Sequence, residues 1–155
     1  MGKAISLWEP WASLIRTEAK TYETRSWGTS YRGPLLICAA KTREMDYLVT
    51  NADFEKGLQK LFWNVTDVKF PVKIKEELLN FGKAVALVEL IRCEPTENLS
   101  FFDFSKEEAF GDYSSGRFAW KLRMIKNDFK PFPVKGSQGL FEVDYKMEVQ
   151  QKIIE

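Results

Sequence analysis

Three charged side chains of mixed sign occur in the segment Lys20-Thr21-Tyr22-Glu23-Thr24-Arg25, whose residue types suit a short strand. Because side chains alternate along a strand, Glu23 and Arg25 are predicted to share one face, with Lys20 reaching over it from the preceding turn. An amine, a carboxylate and a planar guanidinium together suit proton transfer, recognition of a base edge or binding of phosphate. The alternative is an exposed strand edge with ordinary ion pairs, which add little stability.

The sequence allows more than one role for each of these three charged residues. Lys20 is a proton acceptor, a phosphate clamp or a surface lysine. Glu23 accepts from a nucleobase amino group, activates water or pairs with Lys20 or Arg25. Arg25 is predicted to anchor Glu23 or a phosphate through its planar fork.

Tryptophan residues flank this segment on both sides. Trp8 is a candidate for stacking on a base, and packing in the core is an equally good interpretation. Trp11 and Trp120 follow the apolar spacing of their own segments, which favours core positions. Trp27 follows the charged segment directly and completes a plausible recognition pocket.

The chain contains no histidine, which excludes serine–histidine and cysteine–histidine nucleophile pairs and most zinc sites. Cys38 and Cys93 lie in apolar runs and are predicted to be small buried residues in a reducing compartment. Gly136-Ser137-Gln138-Gly139 lacks the spacing of a phosphate-binding Walker loop. We therefore expect neither a metal nor a cofactor.

Size and charge narrow the class of protein. A chain of 155 residues fits one domain, and 23 basic against 22 acidic residues leave a net charge of +1. A broad basic surface for duplex DNA is therefore not expected, and any nucleic-acid contact is local. No apolar run approaches the roughly 20 residues of a membrane helix. We expect no membrane association and a cytoplasmic location, while the oligomeric state stays open.

The apolar patterns predict an α+β domain over residues 1–145, followed by a tail over 146–155. No βαβ unit repeats, so a small mixed barrel of about six strands with peripheral helices is favoured over a parallel sheet. Strands are predicted at residues 3–8, 20–25, 35–40, 83–91, 118–125, 131–134 and 138–143, and helices after Pro10, within 42–62 and at 71–80.

Residues 94–115 are polar and are predicted to form a long loop, a class of loop that is commonly functional or mobile. Asp112 and Tyr113 in that loop are candidates for contact with a ligand. Arg117 enters the next strand and is predicted to border the cleft. Gln138, which lies between two glycines, either reads a base edge or caps a turn.

Four runs in order resemble the ASCH domain family, whose motif is G-x-K-x-x-E-x-R. They are Ala4–Ile15, Ala19–Arg25, Phe110–Trp120 and Gly136–Phe141. The lysine, glutamate and arginine of the motif match Lys20, Glu23 and Arg25. Ala19 replaces the glycine, which indicates that a positive backbone angle is not required at that position.

The resemblance implies a fold similar to the PUA domain, with a cleft between barrel and helices lined by the motif residues. It implies RNA or a nucleoside-like small molecule as the partner. One enzymatic relative removes the acetyl group of N(4)-acetylcytidine with a threonine nucleophile, a lysine and a glutamate. That lysine falls on Lys20, the threonine on Glu23, and the distal glutamate on Glu107 or Glu108. Thr24, one residue later, is predicted to turn its hydroxyl to the opposite face.

Binding is therefore the predicted function, with Lys20, Glu23, Arg25, Trp8, Asp112, Tyr113, Arg117 and Gln138 as candidate ligand contacts. The first alternative is a hydrolase, either an amidohydrolase on an acetylated nucleoside or a ribonuclease, in which Lys20 and Glu23 share proton transfer. A second alternative is a protein-interaction adaptor, since the resemblance associates the family with transcription coactivators.

Overall fold

A computed structural model describes residues 2–41, 79–125 and 128–144 and places them in one mixed sheet with two helices. The strands are β1 (Gly2–Leu7), β2 (Tyr22–Arg25), β3 (Gly33–Ala39), β4 (Lys83–Pro95), β5 (Phe118–Met124), β6 (Phe132–Pro133) and β7 (Phe141–Val143). The helices are α1 (Trp11–Arg16) and α2 (Phe101–Glu107), with 3₁₀ turns at Thr96–Asn98 and Glu108–Phe110. The predicted helix within 42–62, most of that at 71–80 and the tail lie outside the described residues.

The sheet is mixed and open. Its order is β2-β5-β4-β3-β1-β7, with β6 beside β4, and β1 runs parallel to β3 while the other pairs are antiparallel. Within the described residues β2 and β7 do not pair, so the α+β prediction is confirmed but the closed barrel is not. Arg25 of β2 contacts β1 through its side chain, because Arg25 Nη2 donates to the Ser6 carbonyl at 2.7 Å.

The two central strands are buried on both faces. Leu35–Ala39 of β3 and Ala84–Val88 of β4 are almost inaccessible to solvent, which is typical of strands covered on both sides. One side packs against α1 and Trp120, and the other against Phe129 and Phe132. This double burial fixes the register of the sheet and hence the positions of the strand ends.

Helix α1 has six residues and begins after Pro10, as predicted, with Pro10 at its N-cap. The Glu9 carboxylate, 1% exposed, accepts from Ser13 N at 2.8 Å and Ser13 Oγ at 2.5 Å, and also from Asn80 N at 2.9 Å. The preceding residue therefore satisfies helix donors that the proline N-cap leaves free.

The prediction of a long loop over 94–115 was wrong in part. Strand β4 continues to Pro95, and α2 begins after Ser100, whose hydroxyl accepts from Asp103 N at 3.2 Å. A serine followed three residues later by an acid is a helix-start signal, but the polar composition of the segment concealed it. Neither helix of the described residues is long and apolar enough to cross a membrane.

The chain reverses between α1 and β2 at a residue with a left-handed backbone. Glu18 has φ +63°, and Lys20 N then donates to Leu14 O at 3.1 Å. Ala19 has no positive φ, as its replacement of the motif glycine indicated. The strained residue thus lies one position before the expected glycine.

We expect Glu18→Gly to raise the free energy of unfolding by about 0.5–1 kcal/mol, because glycine adopts positive φ without a Cβ clash. The control Ala19→Gly should lower it by about 0.4–1 kcal/mol, because only the entropy of the unfolded chain changes there. Urea unfolding measures both, and equal losses in the two variants would contradict the assignment.

Candidate functional site

A cleft of about 680 Å³ lies where β1 and β3 end together. The two strands are parallel, Leu7 pairs with Ala39, and Ala40 N donates to Leu7 O at 2.8 Å. Because parallel strands end at the same sheet edge, Trp8 and Lys41 follow from adjacent strand ends. The side chains that give the cleft its chemistry are Trp8, Trp27, Arg25, Lys41, Lys135 and Gln138.

The two tryptophans of the cleft differ in packing and exposure. Trp27 packs edge-on against the fully buried Trp120, with ring centres 4.9 Å apart and planes at 85°. Trp120 Nε1 also donates to the Trp27 carbonyl at 3.4 Å. Trp8 is 44% exposed. Trp27 is therefore a fixed wall, whereas the Trp8 ring is accessible for stacking.

Glu23 lies between two cations. Its Oε1 is 3.6 Å from Lys20 Nζ, and its Oε2 is 3.6 Å from Arg25 Nη2. Glu23 and Arg25 share a face of β2, as strand alternation predicts. The carboxylate pairs with both Lys20 and Arg25, and it holds the Arg25 guanidinium at the margin of the cleft.

Lys20 does not lie in this cleft. It is 1% exposed, its Nζ donates to the Phe110 carbonyl at 2.5 Å, and Nζ is 5.5 Å from the centre of the Trp11 ring. Lys20 is therefore not a surface lysine. A buried ammonium needs such partners because desolvation of an unpaired charge is costly. Lys20 fixes the Phe110 segment against β2, and Arg25 alone of the three charges faces the cleft.

A smaller recess of about 350 Å³ lies on the other side of Glu23, bounded by Trp11, Glu23, Thr24, Phe110, Gly111 and Asp112. A Cβ at Gly111 would lie 3.0 Å from Thr24 Oγ1 and 3.6 Å from Lys20 Nζ. The Thr24 hydroxyl therefore faces the same point as the lysine. Thr24 still alternates with Glu23 along β2, and Lys20 approaches both residues because it precedes the strand.

The distal glutamate that faces β2 is Glu107, while Glu108 is exposed. Glu107 is 3% exposed, and its Oε1 accepts from Thr21 N at 2.5 Å and from Tyr22 N at 2.7 Å. Two backbone donors satisfy this oxygen and hold the start of β2 on the end of α2. The carboxylate is thus a positioning group for the strand that carries Glu23.

Asp112 and Arg117 fasten the loop after Gly111 to β2. Arg117 Nε donates to the Asp112 carbonyl at 3.0 Å, and Nη2 donates to the Thr24 carbonyl at 3.3 Å. The Asp112 carboxylate lies 3.6 Å from Arg117 Nε and accepts from Ser114 N at 3.0 Å. Neither side chain lines the cleft, although Asp112 borders the recess.

Tyr113 lies behind the recess and packs edge-on against Phe104, with ring centres 6.0 Å apart. Its hydroxyl is buried and has no hydrogen-bond partner among the described residues. Burial, and then the nearby charges of Glu107 and Glu23, raise the pKa of this phenol. Tyr113 therefore stays neutral and lies next to Gly111 of the recess. Gln138, in contrast, is exposed in the cleft.

Sequence reasoning missed Ser6, Lys41 and Lys135. Lys41 and Ser6 reach the cleft only because β1 and β3 pair in parallel, and Lys135 because β6 brings its segment back to β4. The Ser6 hydroxyl is buried without a hydrogen-bond partner among the described residues. Single lysines and a serine carry no motif, so the missing signal was the strand pairing itself.

Cys38 also lines the cleft, and both cysteines are free. Burial raises the pKa of the Cys38 thiol from 9.0 to about 12, whereas Cys93 is only partly buried.

In the part of the chain that the structure describes, no group of three or more histidine, cysteine, aspartate or glutamate side chains is arranged to hold a metal ion. The chemistry of the cleft is therefore that of cations, hydroxyls and aromatic rings.

These features define a small α+β domain with a ligand-sized cleft at the ends of two parallel strands. The chain belongs to the ASCH domain family, whose model matches residues 5–132. It is 28% identical over 148 residues to "Activating signal cointegrator 1" of Mus musculus and to that of Homo sapiens, covering 94% of this chain. The chain spans about a quarter of those relatives, 23% of their length.

A solved structure titled "Crystal structure of ZmASCH Y47F mutant protein from Zymomonas mobilis" is also similar. It is 16% identical to this chain, with a TM-score of 0.46, and the alignment covers 98% of this chain and 96% of that one.

We expect Ser6→Ala to raise the free energy of unfolding by about 1–2 kcal/mol, because it removes a buried hydroxyl that lacks a partner. The control Ser13→Ala should lower it by about 1 kcal/mol or more, because Ser13 Oγ donates to buried Glu9. Thermal or urea unfolding measures both. A loss of stability in Ser6→Ala equal to that in Ser13→Ala would contradict this account of Ser6.

We expect the folded protein at pH 8 to react with a thiol reagent through Cys93 only, since the raised pKa keeps the Cys38 thiol protonated. Unfolding should release the second thiol, and Cys93→Ser should make the folded protein almost unreactive. Above pH 9 the Cys38 thiol ionises in the unfolded chain but not in the folded protein. Its titration therefore lowers the free energy of unfolding progressively up to about pH 12. Two fast-reacting thiols in the folded protein would contradict the burial of Cys38.

Proposed function

We propose that this protein binds RNA or a nucleoside-like ligand in the 680 Å³ cleft, with a base stacked on Trp8 and Arg25 beside it. The observation that carries the proposal is an exposed tryptophan next to a fixed guanidinium in a cleft whose described lining includes no carboxylate. Stacking on an aromatic ring contributes about 1–3 kcal/mol per base in proteins that bind single strands.

The dimensions of the cleft support a ligand of this size. Clefts that hold small ligands usually measure about 300–1,000 Å³ and combine apolar walls with a few polar groups. Here Trp8 and Trp27 supply the walls, and Arg25 and Gln138 supply the polar groups. A net charge of +1 agrees with local recognition of an unpaired base rather than with a grip on a duplex.

The three charged residues of the family motif have different roles in this proposal. Arg25 contacts the ligand, Glu23 holds Arg25 in place, and Lys20 holds Glu23 and the Phe110 carbonyl. Glu23 and Lys20 are therefore positioning residues for binding. Replacing Lys20 leaves a carboxylate without its buried partner, which weakens binding through the position of β2.

A hydrolase is the second candidate, and it belongs to the recess rather than to the cleft. The observation in its favour is that Thr24 Oγ1 and Lys20 Nζ face the same point at Gly111, next to Glu23. A hydroxyl beside an amine suits a nucleophile with its base. Against it, Lys20 Nζ already donates to the Phe110 carbonyl at 2.5 Å, so proton transfer to a substrate requires this contact to open.

We expect the wild type to bind a short single-stranded RNA and Trp8→Ala to bind it about 5- to 100-fold more weakly, the effect of losing one stacked base. The matched control is Phe101→Ala, which removes an aromatic ring that is 83% exposed on α2, outside the cleft. Fluorescence anisotropy of labelled RNA measures the affinities. Equal losses in the two variants would place the binding elsewhere.

Mass spectrometry of the same RNA and of N(4)-acetylcytidine after incubation tests the second candidate. Loss of the acetyl group or cleavage of RNA that vanishes in Thr24→Val and Lys20→Ala would establish a hydrolase in the recess. Intact substrates together with Trp8-dependent retention of RNA would establish a binding module. Intact substrates without retention would favour the adaptor alternative.

A further inference from the structure

Positive charge is concentrated in the cleft. Its cations are Arg25, Lys41 and Lys135, and its described lining includes no carboxylate. The whole chain has only one more basic than acidic residue, so three cations around one cleft are a local excess. A cleft lined by charges of one sign concentrates ligands of the opposite sign.

The two lysines differ from Arg25 in that no described residue compensates their charges. Arg25 lies 3.6 Å from the Glu23 carboxylate and donates to the Ser6 carbonyl. Neither Lys41 nor Lys135 forms an ion pair with any residue that the structure describes. Their ammonium groups are therefore available to a ligand as far as the described residues show, whereas Glu23 partly compensates the charge of Arg25.

Both lysines are positioned by Gly82. The aliphatic part of the Lys41 side chain packs against Gly82. A Cβ at position 82 would lie 3.2 Å from both Lys41 Cγ and Lys41 Cε. Val134, the residue before Lys135, donates its backbone N–H to the Gly82 carbonyl at 3.1 Å. The segments that carry the two lysines thus meet at Gly82, although they are far apart in sequence.

Ser6 adds a hydroxyl to this region. Its Oγ is buried without a hydrogen-bond partner among the described residues, and a Cβ at Gly136 would lie 2.8 Å from it. Two ammonium groups and a hydroxyl together are donors that match the several acceptor oxygens of a phosphate. A neutral nucleoside has no negative charge with which these two cations could pair.

We propose that Lys41, Lys135 and Ser6 form a phosphate subsite, so that the ligand is a nucleotide rather than a nucleoside. This inference rests on the proposed function and names the chemistry of its ligand. The base stacks on Trp8, which follows β1, and the phosphate lies by Lys41, which follows the neighbouring parallel strand. The phosphate is either that of a free nucleoside monophosphate or a phosphodiester of RNA.

The test is isothermal titration of the full chain with cytidine, with cytidine 5′-monophosphate and with a 5′-hydroxyl oligoribonucleotide. The variants are Lys41→Gln and Lys135→Gln, and the matched control is Lys106→Gln, an exposed lysine on α2 outside the cleft. We expect the monophosphate to bind more tightly than cytidine, and each cleft variant to weaken it about five- to tenfold. The control should change the affinity less than twofold.

Salt dependence provides a second readout on the oligoribonucleotide. The slope of log affinity against log salt should fall by about 0.7–1 for each cleft lysine removed, and it should not change in Lys106→Gln. Lysine dependence seen only with the monophosphate would identify a free nucleotide as the source of the phosphate. The same dependence on the 5′-hydroxyl oligoribonucleotide would identify an internal phosphodiester, and either result supports the subsite.

Two further outcomes separate this inference from the proposed function. Equal affinities for cytidine and its monophosphate together with an unchanged salt slope on the oligoribonucleotide, or equal losses in the cleft and control variants, would overturn the phosphate subsite and leave base binding intact. Failure of all three ligands to bind the wild type would overturn the proposed function itself.

Discussion

The buried charge of Lys20 is the constraint on which the candidate site depends. An ammonium that is 1% exposed must be compensated, and Glu23 and the Phe110 carbonyl compensate it. Because Glu23 also reaches Arg25, the cost of burying Lys20 determines where the guanidinium points. Loss of one partner from such a buried pair typically costs about 3–5 kcal/mol. The three motif charges therefore act as one structural unit.

This unit separates two regions with different chemistry. On one side, Thr24 and Gly111 form a small recess close to the Lys20 ammonium. On the other side, Arg25 borders a larger cleft that also has an exposed tryptophan and two lysines whose charges no described residue compensates. The recess has the groups of a nucleophilic site but its amine is already bonded, whereas the cleft has open space. The proposed recognition of a ligand therefore concerns the cleft.

The cleft itself is a consequence of the one parallel pair in the sheet. Strands β1 and β3 end side by side, and the residues after them enter the same space. The antiparallel neighbours secure this edge, because β4 pairs with β3 and carries β6 on its other side. Beside the cleft, Arg25 of β2 bonds to the β1 backbone through its side chain. The same guanidinium thus contributes to the fold and to the site.

Apolar spacing and local motifs were enough to predict the α+β class, the resemblance to the family and the shared face of Glu23 and Arg25. The sequence analysis missed α2, whose cap signal lies in a polar segment, and it left open whether Lys20 is buried or exposed. The tertiary structure shows that Lys20 is buried and that Arg25 borders the cleft. It alone brought Ser6, Lys41 and Lys135 together, because strand pairing joins residues that no local pattern connects.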